Sequence, residues 1–176
     1  MPNIKRVTDG DTIETTDDDN KARVGYINTP ESVHPDDSKN TPEGDVASDL
    51  AKAVLPEGQD VTTHSYGKDH YGRTVKGVKK NVGNVEVDYG LVALDQEMSM
   101  YYTQFGTHPD PLMHNAYKEY YSKDVPYQFG SSEEPMTQEE MAVMETKQSN
   151  FTKSYDSFKN GDISQEQFDE VTAALY

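Results

Sequence analysis

Asn3-Ile-Lys-Arg-Val-Thr-Asp-Gly-Asp-Thr-Ile-Glu-Thr15 contains two short runs of strand-forming residues joined by Asp9-Gly10, a dipeptide that favours a tight hairpin. The polar turn Asp17-Asp-Asp-Asn20 follows, and Ala22-Arg-Val-Gly-Tyr-Ile27 then resumes an extended pattern that stops at Asn28-Thr29-Pro30. Three strands are therefore expected by residue 28. Glu31 to Gly44 is aperiodic and rich in Pro, Asp, Ser and Asn, so it reads as a loop. It leads into a helix predicted over Asp45 to Leu55, where Val46, Leu50, Ala53 and Val54 recur at helical spacing before Pro56 and Gly58 end it. Gln59 to Tyr66 and Thr74 to Lys80 read as two further strands around the polar segment Gly67-Lys-Asp-His-Tyr-Gly-Arg73. A short helix is expected around Val87 to Leu94.

Five short strands with an intervening helix predict an α+β fold, namely a five-stranded closed β-barrel of the oligonucleotide-binding (OB-fold) type with packed helices. At 176 residues there is room for one domain and an appendage. Residues 1–130 are assigned to the barrel domain and residues 131–136, with Ser131-Ser132-Glu133-Glu134-Pro135, to a linker. Residues 137–176 are assigned to a C-terminal helical hairpin. Thr137 with Glu140 and Ser164 with Gln167 form two capping boxes, flanked by the staple pairs Met136/Met141 and Ile163/Phe168. Gly161 is placed to end the first helix. The apolar stripes of this hairpin fit either self-association or docking to a partner protein, or a cap that packs on the barrel. The turn from Asp156 to Gln167 imitates a calcium-binding loop at its glycine and isoleucine positions. Phe158 and Gln167 stand where oxygen ligands are needed, so calcium binding is not expected there.

The chain has no cysteine, which excludes disulfides, zinc–thiolate sites and thiol catalysis. No run approaches the ~20 apolar residues of a membrane span, and the N-terminus leads into a strand pattern without a signal peptide. No membrane association is expected, and an intracellular (cytoplasmic) or virion-associated protein is. The formal net charge of −16 argues against tight, sequence-independent DNA binding, although solubility alone also explains an acidic surface. Tyr101, Tyr102, Tyr117, Tyr120, Tyr121 and Tyr127 crowd one stretch, either as a packing face with wet hydroxyls or as base-stacking platforms.

Three segments carry chemistry. Asp9-Gly10-Asp11-Thr12 offers carboxylates at a hairpin; Arg23 through Glu31 offers an arginine and a glutamate across a strand and its exit loop; and Arg73 follows an aromatic-glycine turn. Only three arginines stand against thirteen lysines, and two of the three fall in these segments. A guanidinium can grip two phosphate oxygens at once, which a lysine cannot. Together and in this order, Val7-Thr-Asp-Gly-Asp-Thr-Ile13, Arg23-Val-Gly-Tyr-Ile-Asn-Thr-Pro-Glu31 and Asp69-His-Tyr-Gly-Arg73 resemble the staphylococcal nuclease (thermonuclease) family. The resemblance covers about residues 4 to 125, including Val87-Asp-Tyr-Gly-Leu-Val-Ala93.

That resemblance implies a calcium-dependent endo- and exonuclease acting on DNA and RNA to leave 3′-phosphates. It implies Arg23, Glu31 and Arg73 as catalytic residues, with the arginines gripping phosphate and the glutamate preparing water. Asp11, Asn28 and the Thr29 carbonyl are implied to hold Ca2+, and Tyr71, His70 and one of Tyr101 or Tyr102 to contact the nucleotide. Asn28 departs from the family's aspartate and removes one negative charge from the metal site. His70 replaces a lysine and removes a fixed positive charge near the phosphate. The alternative is a nuclease-like module that serves a larger, possibly virion, assembly as a binding or structural part.

Overall fold

The computed structural model describes residues 1–104, 106–120 and 138–176. Six strands pair there into one sheet, and five α-helices accompany it. β1 (Ile4–Asp9) and β2 (Thr12–Thr15) form the expected hairpin, with Asp9 opposite Thr12. Gly10 does not occupy the left-handed region there. Its use is space, because a Cβ at this position would come within 2.6 Å of Thr29 Oγ1. β3 (Ala22–Val24) pairs antiparallel with β2 and parallel with β5. It ends three residues before the predicted limit because Tyr26 adopts a positive φ of 64°, which turns the chain out of the strand.

Helix α1 (Pro42–Val54) begins earlier than its apolar pattern, since Thr41 caps it and Pro42 occupies its first turn. Strands β4 (Val61–Lys68) and β5 (Thr74–Val82) form a long hairpin. A sixth strand, β6 (Val85–Asp88), pairs with the end of β5, and helix α2 (Tyr89–Asp95) starts only after it, capped by Asp88. The expectation of five strands and of a helix from Val87 is corrected accordingly. Gly83-Asn84, with Gly83 at φ 59°, turns the chain back on β5 and makes this stretch extended.

The sheet order is β1-β2-β3-β5-β4, with β6 joining β5, and the sheet is not closed into a barrel. β1 and β4 approach at one end, where Asn3 and Asp60 form an isolated antiparallel bridge. There Ile4 N–H donates to Gln59 O (2.9 Å), and Val61 N–H donates to Pro2 O (3.0 Å). Helix α3 (Pro111–Tyr117), capped by Asp110, was not foreseen.

The C-terminal pair, α4 (Gln138–Lys159) and α5 (Gln165–Leu175), is present, and the Ser164/Gln167 capping box forms in full. The linker at 131–136, Thr137, Met136, Tyr121 and Tyr127 lie outside the described residues. The hairpin's apolar stripe is covered by the chain itself, since Phe151 and Phe168 are fully buried in the same core as Ile13, Leu50, Val78 and Val92. No helix among the described residues is long and apolar enough to cross a membrane.

A buried ion pair fastens the hairpin to the sheet. Lys80 of β5 is fully buried and donates to Asp169 of α5 (2.5 Å) and to Val54 O of α1 (2.8 Å). Burial lowers the Lys80 pKa, and Asp169 opposes that shift. Asp169→Ala strands this ammonium without its partner and is expected to lower the unfolding free energy by about 3 kcal/mol in urea titration. Lys80→Met with Asp169→Leu, which removes both charges, is expected to recover most of that loss.

Candidate active-site cleft

Strand register puts the two arginines on one face. Arg23 of β3 lies beside Val75 of β5 in the parallel ladder, and Arg73 precedes Val75 by two positions, so both side chains leave the same side of the sheet. They line one cleft of about 570 Å³ together with Asn28, Tyr26, Tyr66, Lys68, Asp69, His70, Tyr71 and Tyr102. Each guanidinium sits over a tyrosine ring, Arg23 over Tyr102 at 5.7 Å and Arg73 over Tyr71 at 5.5 Å.

Local hydrogen bonds aim Arg73. Asp69 closes the β4–β5 turn by accepting from Tyr71 N–H (3.0 Å) and Arg73 N–H (2.9 Å), and Gly72 supplies the turn's positive φ of 80°. The other Asp69 oxygen takes Arg73 Nε at 2.7 Å. Burial pushes the Asp69 pKa up, but the bonds from Arg73 outweigh it and hold the carboxyl below its usual range. Asp69 belongs to the quoted motif yet carries no expected role. Its spacing of four residues from Arg73 across a glycine turn was the available signal. Tyr26 and Tyr66 had no such signal, because their rings reach the cleft only through packing at a centroid distance of 5.3 Å.

Behind Arg23 lies Asp11, which is 4 % exposed. Its Oδ1 accepts from Thr12 Oγ1 (3.1 Å) and its Oδ2 from Thr29 N–H (3.1 Å). Arg23 Nη2 stands 3.3 Å from Oδ2. The same nitrogen donates to Asn28 Oδ1 (2.6 Å) and Ile27 O (3.3 Å). Burial raises the Asp11 pKa to about 6; Arg23 works against the shift and buried Asp9 adds to it. Tyr89, in the core, holds the hairpin turn by donating to Gly10 O at 2.5 Å.

The structure therefore gathers Arg23, Arg73, Asn28, His70, Tyr71 and Tyr102 around the cleft, with Asp11 and Thr29 joined to it through Arg23 and Asn28. Tyr101 belongs to the core instead. It is 4 % exposed, and its hydroxyl accepts from His108 N–H (2.6 Å) and bonds His114 Nδ1 (2.9 Å). Tyr117 is buried in the same cluster, so for these two tyrosines the packing alternative holds. Glu31 is half-buried on the exit loop and does not line the cleft. Its carbonyl accepts from Thr41 N–H (3.0 Å) and lies so close to α1 that a Cβ on Gly44 would fall 2.0 Å from it.

Among the described residues no three His, Asp or Glu side chains converge as a metal-holding group. The oxygens that do converge are of the hard type that Ca2+ takes. Asp11, Asn28 and the Ile27 carbonyl meet at one cationic nitrogen, and the Thr29 hydroxyl beside them is buried without a hydrogen-bond partner. This donor set fits a divalent cation in chemistry, with Thr29 adjacent as the resemblance implies.

Two measurements test this geometry. Gly44→Ala drives the Glu31 carbonyl off α1 and is expected to lower stability by about 2 kcal/mol in denaturant titration. In chelator, thermal stability is expected to rise as pH falls from 7 through 6, because Asp11 takes up a proton in the folded state near 6 and in the unfolded chain only near 3.8. Burial also pushes Asp17 upward, but bonds from Thr15, Lys76 and Thr63 prevail and hold it down at about 2. Its contribution is present above the unfolded value of 3.8 and is lost as pH falls toward 2. A stability maximum on the acid side of neutrality should therefore appear in melts across this range.

No family model matches this chain and no curated protein matches it, so the resemblance carried by the three motifs stands on those residues and their geometry.

Proposed function

We propose that this chain is a metal-dependent phosphodiesterase of the staphylococcal-nuclease type, which hydrolyses DNA or RNA with Ca2+ as its cation. In this reading the sheet is an OB-type barrel whose β1–β4 seam is reduced to the Asn3–Asp60 bridge. The supporting observation is the pairing of Arg23 and Arg73 in one tyrosine-walled cleft, with buried Asp11 paired to Arg23.

Hydrolysis of a phosphodiester builds negative charge on the phosphate oxygens, and two guanidinium groups at one cleft stabilise that charge most where water is excluded. Arg73 is anchored through Nε, which leaves its two Nη groups to engage phosphate. Tyr71 and Tyr102 flank the arginines and offer faces to the adjoining sugar or base. A cation held by Asp11, Asn28 and the Thr29 carbonyl supplies charge neutralisation and an activated water when bound. Glu31 is the general base of this reading. Because it stands outside the cleft, it would act as base on an attacking water only with the loop after Pro30 shifted inward.

The same position of Glu31, with the net charge of −16, favours the second reading, a nuclease-like module that binds within a larger assembly. Digestion of single- and double-stranded DNA and of RNA, with Ca2+ or with chelator, separates the two. Calcium-dependent cutting with 3′-phosphate ends is expected, reduced ~10²-fold or more by Arg73→Ala and by Glu31→Gln. Failure of the unaltered protein to cut any of these substrates sinks the enzymatic reading.

A further inference from the structure

Arg23 faces two groups of partners at once. Its guanidinium borders the phosphate cleft over Tyr102, yet one of its nitrogens is committed to three oxygens from the hairpin and the exit loop. Nη2 lies 2.6 Å from Asn28 Oδ1, 3.3 Å from Ile27 O and 3.3 Å from Asp11 Oδ2. Guanidinium has donors and no acceptor, so it fixes the Asn28 amide with oxygen inward. The backbone makes this oxygen cradle rigid. Asn28 N–H is held by Ser99 Oγ at 2.7 Å, Asp11 Oδ2 takes Thr29 N–H, and Tyr26 turns the chain back toward Arg23.

The cradle's own charged groups also balance, with buried Asp9 adding negative charge behind Asp11. With an amide at position 28, Asp11 brings one negative charge and Arg23 one positive charge. A divalent cation at the site proposed above takes the Asp11 and Asn28 oxygens of this cradle as ligands and repels a guanidinium at contact distance, so the two cannot share those oxygens.

We propose that Arg23 is the resident cation of the Asp11–Ile27–Asn28 cradle and that an incoming Ca2+ displaces it into the cleft beside Arg73. The inference rests on the cation site proposed above. Its consequence is that cation binding and completion of the two-arginine phosphate grip are one event. Without the cation, Arg23 neutralises Asp11 and only Arg73 is available to a phosphate. The cation also competes with an internal charge, so its affinity is set in part by the release of Arg23.

The chain contains three arginines, Arg6, Arg23 and Arg73, so its arginine Nε–Hε NMR spectrum has three resonances to follow. Titration with CaCl2 alone, without nucleotide, is expected to move the Arg23 resonance and leave that of Arg6 in place. Calorimetry on the same samples reports binding directly. Arg23→Gln is expected to bind Ca2+ about tenfold more tightly than the unaltered protein, whereas Arg73→Gln, which removes the same charge from the same cleft, changes it less than about threefold. Saturable Ca2+ binding with an unmoved Arg23 resonance overturns the displacement while leaving the cation site standing. Equal tightening in both variants also overturns it, because long-range charge alone would then account for the effect. No Ca2+ binding by the unaltered protein or by either variant overturns the cation site itself, and the displacement with it.

Discussion

A carboxylate buried as deeply as Asp11 needs a positive charge and hydrogen bonds around it, and that need organises one end of this molecule. Arg23 meets it from the neighbouring strand β3, Thr12 and Thr29 supply donors, and Tyr89 secures the turn from the core. The exit loop is drawn into the same arrangement because Arg23 also binds Ile27 O and Asn28 Oδ1. For that loop to return, Tyr26 must sit in a left-handed conformation that costs about 1–2 kcal/mol. The ring offsets this by packing against Tyr66 at 5.3 Å and His108 at 4.9 Å. Strain in the backbone is thus balanced by the aromatic wall of the cleft it creates.

A second buried carboxylate does comparable work for the C-terminal part of the chain. Asp95 closes α2 and is fully buried. It accepts from Tyr120 OH at 2.8 Å and from the Tyr176 hydroxyl, while Gln148 of α4 donates to its carbonyl at 2.8 Å. With Lys80–Asp169, these bonds make the C-terminal hairpin part of the same core as the sheet. The carboxylates that matter structurally are few and individually partnered. Among the described residues, Asp19, Asp36, Asp37 and Glu43 carry part of the acidic excess at the surface, where they are exposed.

Where the sequence was legible, the reason was local. The β1–β2 hairpin, the capped start of α5 and the Asp69–Arg73 turn each depend on residues within five positions of one another, so their patterns survive in the linear text. Its failures were of two kinds. Gly83-Asn84 is a local turn signal that precedes β6, whose last two residues overlap the start of the expected helix. Tyr26 ended β3 early for a reason no local pattern holds, because the partners that stabilise its conformation lie on β4 and near residue 108. Even a correct expectation had a different cause: Gly10 permits the close approach of Thr29 rather than a left-handed turn.

The sequence by itself determined which chemical groups this protein has to work with: three arginines, a hairpin carboxylate, an Asn-Thr-Pro-Glu exit loop and no thiol. It also determined most of the strands that carry them, since strand and turn propensities act over short range. Only the tertiary structure decided which of those groups meet. The parallel pairing of β3 with β5 put Arg23 and Arg73 on one face, the return of the exit loop gave Arg23 two oxygens beside that of Asp11, and burial removed Tyr101 from the cleft while leaving Tyr102 in it. Those outcomes depend on strand register and on desolvation, which arise between segments distant in the chain and leave no mark on either segment alone.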